Sequence, residues 1–225
     1  MEVKDSTFVS VDPQSPDKET IRTAAALIKK GGLVVFPTSS FYGLGADAFN
    51  PEAVDKVFQV KKRDRRKPVL ILINHVRELV SLVKSIPDQA KPLIEAFWPG
   101  GLTLVFKAAD VLPSNLCGHT GKIGIRLAGH PVASHLVSTV GGPITATSAN
   151  ISGRGGCTAV VELDSHIKEH VDLVLDAGCL AGGKGSTVVD VTVEPPIILR
   201  EGVVAAERIG ALLQAPPAAG PAMRF

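Results

Sequence analysis

Apolar residues fall in short runs of two different periods along this chain. Thr7–Val11 alternates every second residue, as a half-buried strand does. Ser15-Pro16-Asp17 then offers an N-cap with proline at the first helical position. Ile21, Ala25 and Ile28 share one face of the helix that follows, which should stop at Gly31-Gly32. Leu33–Phe36 reads as a buried strand, and Asn50-Pro51 caps a second helix carrying Val54, Val57 and Phe58. Val69–Ile73 is β-rich, while Val76–Val83 and Pro87–Phe97 are helix-compatible, the latter broken by Trp98-Pro99-Gly100-Gly101. Further strands are predicted at Leu102–Phe106, Ile123–Leu127, Pro143–Ala146, Leu173–Leu175 and Thr187–Val191, with a helix at Val132–Val140 and a last strand ending at Arg200. Strands interleaved with helices predict one α/β (α+β) domain over residues 1–210, built around a single twisted, open, mixed sheet with flanking helices. The Pro/Ala/Gly-rich end APPAAGPAMRF places residues 211–225 outside it as a disordered tail.

Composition narrows the function classes. A chain of 225 residues can bury a sizeable core. Aromatics are only 4%, too few for a platform that stacks nucleic-acid bases. A net charge of +2 gives no whole-molecule field for nucleic acid or membrane, although Lys61–Lys67 is locally basic. Three widely spaced cysteines, Cys117, Cys157 and Cys179, suit a reducing compartment better than a disulfide framework or a zinc cage. No apolar segment reaches membrane-spanning length, so a cytoplasmic protein with no membrane partner is expected.

Two nucleotide motifs come close to matching. Gly43-Leu-Gly45-Ala-Asp-Ala48 fits G-x-G-x-x-A, but Pro37–Tyr42 separates it from the preceding strand. No helix begins until Asn50-Pro51, and the chain reads KKRDRRK where a ribose-binding acid should lie. Gly178–Lys184 is most of a P-loop, but Gly185 stands where a Ser or Thr is required and a strand pattern follows. Neither motif holds a nucleotide in the way its fingerprint implies.

Four other stretches could bear chemistry. Lys61–Lys67 holds six cations in seven residues and reads either as a solvated helix end or as a polyanion clamp. Thr145–Gly153, which contains Ser148 and Asn150, is either a turn cluster or the lining of a crevice at a strand's C-terminal end. Arg126 sits between apolar neighbours in a strand and, if inward, needs an anion; His130 before proline reads as a capping histidine. Ser186-Thr187 opens one strand and Leu199-Arg200 closes another. His166 and His170 have metal-compatible spacing but no evident third ligand, so they read as a solvated helix face, and no metal site is expected.

Taken in order, GGLVVFPTSSFYGLGADA, KKRDRRKPV, FWPGGLTLV, GKIGIRLAGHP, PITATSANISG and STVVDVT…ILREG resemble the YrdC family, the threonylcarbamoyl-AMP synthases, in its single-domain form. The resemblance spans roughly residues 20 to 205 and implies a large, concave, basic cavity. It implies an ATP-dependent enzyme, a nucleotidyltransferase, that joins L-threonine, bicarbonate or CO2, and ATP into threonylcarbamoyl-AMP and pyrophosphate, usually with Mg2+. A separate transfer complex then modifies position 37 of tRNA. The resemblance also implies the site. Lys61 and Arg63 would grip the triphosphate and act electrostatically, supported by Arg65. Ser148, Asn150 and Arg200 would serve ATP, with Lys122 and Gly156 nearby. Thr38, Arg126, Ala146 and Ser186 would surround L-threonine, Arg126 pairing with its carboxylate. Ser39-Ser40-Phe41 and Asp64 depart from the family pattern, and a relative that binds double-stranded RNA or tRNA through the same basic cavity is the other reading.

Overall fold

The computed structural model describes residues 7–214. Eleven strands run in the order β1 (Thr7–Ser10), β2 (Val34–Pro37), β3 (Tyr42–Gly45), β4 (Ile71–Ile73), β5 (Leu102–Lys107), β6 (Lys122–Leu127), β7 (Ile144–Thr145), β8 (Thr147–Ser148), β9 (Leu173–Asp176), β10 (Thr187–Asp190) and β11 (Ile197–Arg200). The helices are α1 (Lys18–Lys29), α2 (Pro51–Lys61), α3 (Leu79–Leu82), α4 (Ala90–Phe97), α5 (Pro131–Val140), α6 (Ser165–His170) and α7 (Ala206–Gln214).

The caps follow local chemistry. Asn50 Oδ1 accepts from the backbone N–H groups of Glu52 and Ala53 at 3.0 and 3.1 Å, and Pro51 opens α2 as expected. At α1 the cap is Asp17, not Ser15. The Asp17 carboxylate takes the Thr20 N–H at 2.8 Å and its hydroxyl at 3.1 Å, a stronger acceptor pair than a serine could offer there. His130 caps α5 through Nδ1, which accepts from the Val132 N–H at 3.2 Å.

The expected single sheet is two mixed sheets. One has the order β1-β9-β2-β3-β8, the other β11-β10-β5-β6-β4-β7. The split comes at Ala146. β7 pairs antiparallel with β4 in the second sheet, and only one residue later β8 pairs antiparallel with β3 in the first. Thr145 pins this crossing, its Oγ1 accepting from Ala46 N and donating to Leu44 O, both at 3.0 Å.

Both faces of the first sheet are covered. Val34 and Phe36 pack with Ile21, Ile28 and Leu136 of α1 and α5, while Leu33, Val35 and Leu44 pack with Val57 of α2 and Ile167 of α6. Each fully buried aliphatic side chain stabilises the fold by about 1.5–3 kcal/mol. The glycines of the near-dinucleotide motif lie within β3, not at a helix start, and they accommodate the Phe36 ring. A Cβ on Gly45 would lie 2.8 Å from Phe36 Cε1.

The second sheet is covered along its length on one face, and on the other only at its β4–β7 edge, where Leu72 and Ile144 join the core beneath α1 and α5. Leu102, Leu104, Phe106, Ile123, Ile125 and Val189 enter a core completed by Leu93, Ile94 and Phe97 of α4 and Ile209 of α7. Leu212 and Leu213 also pack there, so residues 211–214 belong to the last helix and not to a tail. The remainder of the expected tail, 215–225, lies outside the described residues. No helix among those described is long and apolar enough to cross a membrane.

Candidate active site

Strand periodicity points the alternate residues of the second sheet away from its core. Thr103 and Val105 of β5, Lys122, Gly124 and Arg126 of β6, and Val188 and Asp190 of β10 line a cavity of about 620 Å3 between the two sheets. Its other walls come from Thr38, Ser40 and Gly43 near β3, from Ala146 and Ser148 at the sheet crossing, and from Arg63, Arg154, Gly156, Ser186 and Arg200. Gly124 keeps the floor low, since a Cβ there would meet Thr103 Cγ2 at 3.2 Å.

Among the described residues the lining carries five cationic side chains and one carboxylate, Asp190. Asp190 is neutralised by Lys122, whose Nζ donates to Oδ2 at 2.8 Å. Burial raises the Asp190 pKa, but the bonds from Lys122 and Thr192 outweigh this and hold it below the ordinary value. Three of the four lining arginines are held by neutral groups or by none. Arg63 donates from Nε to Lys67 O at 3.1 Å and from Nη2 to Pro68 O at 2.8 Å. Arg200 donates from Nε and Nη2 to Ser186 O at 3.2 and 2.9 Å. Arg154 is tied to Asp164 at the cavity edge. No described residue gives the Arg126 guanidinium an ion pair. Burial, with Arg200 second, pulls its pKa down to about 10, which still leaves it charged at neutral pH. The smaller polar groups are equally fixed: Thr38 Oγ1 donates to Phe41 O at 2.6 Å, and Ser186 Oγ accepts from Thr103 Oγ1 at 2.9 Å.

Nine of the twelve residues expected at the site line this cavity: Thr38, Arg63, Lys122, Arg126, Ala146, Ser148, Gly156, Ser186 and Arg200. Lys61, Arg65 and Asn150 do not. Lys61 is 1% exposed and lies beneath the Ser148–Asn150 turn. Its Nζ donates to Ser148 O, to Asn150 O at 2.7 Å and to Asn150 Oδ1 at 3.2 Å. Burial, with the Arg63 charge second, draws its pKa down to about 7. Three oxygen acceptors pull the other way, and three donated bonds are the geometry of an ammonium. Asn150 is likewise spent on the turn, accepting from Ser148 Oγ and donating to Ile151 O and Arg154 O. Arg65 points outward to Asp55 at 2.6 Å, a bond available because Asp55 lies on the exposed side of α2.

The basic run is therefore dispersed and does not form a clamp. Arg63 alone of its cations lines the cavity, while Arg66 is paired with Asp64 at 2.8 Å on the surface. Ser40, Thr103, Thr120, Arg154 and Asp190 also line the cavity and escaped the sequence reading. Strand alternation could have found Thr103 and Asp190, which share a face with Lys122 and Arg126. Arg154 sits in a loop with no periodic signal.

Comparison with known proteins shows the family to which this fold belongs. The Sua5_yciO_yrdC family profile, described as "Telomere recombination", matches residues 26–202. The chain belongs to this family. A Mycobacterium tuberculosis H37Rv protein that carries the name threonylcarbamoyl-AMP synthase provisionally is 41% identical over 92% of this chain and 94% of its own length. The threonylcarbamoyl-AMP synthase of Pyrococcus abyssi is 38% identical over 84% of this chain, which spans only 56% of that relative's length. A crystal structure of P. abyssi Sua5 complexed with L-threonine superposes with a TM-score of 0.86 at 35% identity, covering 93% of this chain and 61% of that one.

Proposed function

We propose that this member of the Sua5/YrdC family is a threonylcarbamoyl-AMP synthase, a nucleotidyltransferase acting on L-threonine, bicarbonate or CO2, and ATP. The observation that carries the reading is a cavity lined by a half-buried Arg126 that makes no ion pair among the described residues, together with Arg63 and Arg200. Arg126 suits the carboxylate of an amino acid, with Thr38 and Ser186 on the lining of the same cavity to take a side-chain hydroxyl. Arg63 and Arg200 suit phosphate oxygens, with the Ser148 hydroxyl at the turn that Lys61 supports. In this assignment threonine's amine adds to CO2 and loses a proton to give a carbamate. A carbamate oxygen then attacks the α-phosphorus, and the bond to the bridging oxygen breaks to release pyrophosphate. Two anions must approach each other, so charge neutralisation and positioning carry most of the acceleration.

Magnesium would enter with the triphosphate. The one lining carboxylate, Asp190, is already committed to Lys122 and Thr192, so this cavity does not build a metal cage of its own. The three free cysteines, two of them buried, support a cytoplasmic setting. Downstream, a transfer complex acting on tRNA would consume the adenylate.

The test is pyrophosphate release from ATP by purified protein. It should require threonine and bicarbonate together, with threonylcarbamoyl-AMP detected by mass spectrometry. Release that ignores threonine, or tight salt-sensitive RNA binding without any release, would overturn the reading.

A further inference from the structure

Outside the catalytic cavity, α6 brings together three side chains that the proposed reaction does not use. His166, Glu169 and His170 stand at i, i+3 and i+4, so they share one face of the helix. One ligand atom from each lies within 4.8 Å of the other two. The two imidazoles are 4.2 Å apart between ring centres and tilted by 40°. They sit on the wall of a separate surface pocket that shares no residue with the catalytic cavity. The spacing of the histidines alone suggested a solvated helix face, because no third ligand was in view; Glu169 is that ligand.

We propose that His166, Glu169 and His170 form a binding site for a divalent late transition metal of the zinc class. The tautomers support it. His170 Nδ1 lies 2.8 Å from the His166 carbonyl oxygen, which can only accept, so Nδ1 carries the proton and the Nε2 lone pair is left for a cation. Two imidazoles and a carboxylate match zinc, nickel or copper better than the all-oxygen demand of calcium or magnesium. Ligand atoms of a tetrahedral zinc site lie about 3.3 Å apart, so modest side-chain rotation from the present positions closes the set and leaves one coordination position for water.

The surroundings permit a cation. Lys56 is drawn off to the Gly31 carbonyl at 2.8 Å, and an Asp172 carboxylate oxygen accepts from Leu33 N at 2.8 Å on the same pocket wall. Lys62 opposes the metal and limits its affinity. Ile167, fully buried, and the Asp164 cap hold the backbone of α6 in place beneath the ligands.

The experiment is equilibrium dialysis of tag-free, full-length protein against zinc, followed by cobalt substitution. One equivalent of zinc should bind, and His170→Gln and the His166→Gln/His170→Gln double variant should each weaken it about tenfold or more. Glu169→Gln should weaken it less. The cobalt spectrum should lack a thiolate charge-transfer band, because the exposed Cys179 takes no part. Zinc should also raise the thermal midpoint of the wild type and leave that of the double variant unmoved. These residues are at least partly exposed, so the variants should keep the wild-type circular dichroism. Zinc binding unchanged in the folded double variant, binding abolished by Cys179→Ser, or no binding at all would overturn the assignment.

Discussion

Replacing Lys61 with methionine separates two roles that the family resemblance alone merges. A phosphate-gripping lysine would leave stability intact and raise the KM for ATP. A lysine that holds the Ser148–Asn150 turn would do the reverse first. The magnitude follows from what each oxygen retains. Ser148 O still accepts from Asn150 N at 2.9 Å, and Asn150 Oδ1 still accepts from Ser148 Oγ. Asn150 O, however, loses the 2.7 Å bond from Lys61 and has no other donor among the described residues. One orphaned buried carbonyl costs about 1–3 kcal/mol, and the lost charge-assisted bonds add a similar amount. Relief from desolvating an ammonium offsets part of this. The net expectation is a loss of about 2–4 kcal/mol, or about 4–16 °C in Tm for a domain of this size.

Urea unfolding of wild type and Lys61→Met gives the first quantity, and pyrophosphate release at saturating and limiting ATP gives the second. Lys61→Met should lose stability and lower kcat, because the Ser148 hydroxyl is displaced from the cavity wall. A double-mutant cycle with Ser148→Ala should show that the two catalytic losses do not add. If Lys61→Met unfolds within about 0.5 kcal/mol of wild type while its KM for ATP rises more than tenfold, the turn-holding role is wrong.

Three further perturbations probe other parts of the molecule. Arg126→Ala should weaken threonine about ten- to hundredfold, the worth of a charge-assisted bidentate contact, and ATP much less; calorimetric titrations showing equal losses would refute the assignment. Gly45→Ala puts a Cβ 2.8 Å from Phe36 Cε1 and should cost about 1–3 kcal/mol in urea unfolding, with a wild-type midpoint counting against the close packing of β3 on that ring. Burial lowers the His130 pKa below the ordinary 6.5, so below that pH the unfolded chain binds more protons than the folded one, and stability is lost as pH falls through 6.5 toward the folded value. His130→Asn keeps a capping acceptor that does not titrate, and it should flatten this part of the stability–pH curve; an unchanged slope would exclude His130 as its source.

What could be read from the sequence was whatever repeats locally. Asn50-Pro51 announces α2 because the cap and the first turn are contiguous, and the alternation of KIGIRL marks β6 because its apolar face must meet a core. The division into two sheets was not legible. It depends on a reversal of partners across the single residue Ala146, which a threonine flanks on either side, so no local signal marks the change. The place of Lys61 was hidden for the same kind of reason. A lysine in the last turn of a helix looks solvated, and its acceptors lie 87 and 89 residues further along the chain. The basic run misled because charge density in sequence says nothing about direction. Four of its six cations, Lys61, Arg63, Arg65 and Arg66, reach the interior, the cavity, Asp55 and Asp64 separately.

That dispersal bears on how such a site could work. A cavity meant for anions gains nothing from cations already neutralised by carboxylates, yet an unsupported buried cation is costly. Here the support comes mainly from carbonyl dipoles. Arg63 rests on Lys67 O and Pro68 O, and Arg200 on Ser186 O, so each is fixed in place while keeping its full charge. The remaining cost is visible as a lowered pKa: at Arg63 from burial and then Arg200, at Arg126 from burial and then Arg200. Mutual repulsion among aligned cations is relieved only when an anion enters, and most by the most highly charged one. A triphosphate and a carboxylate therefore draw on the same excess positive charge, and Arg200, the charge that Arg63 and Arg126 both feel, should favour the binding of each. Arg200→Met should weaken threonine as well as nucleotide. Affinities for threonine and for a non-hydrolysable ATP analogue, each measured alone by calorimetry, should both fall in the variant. A loss confined to the nucleotide would show that the arginines act independently.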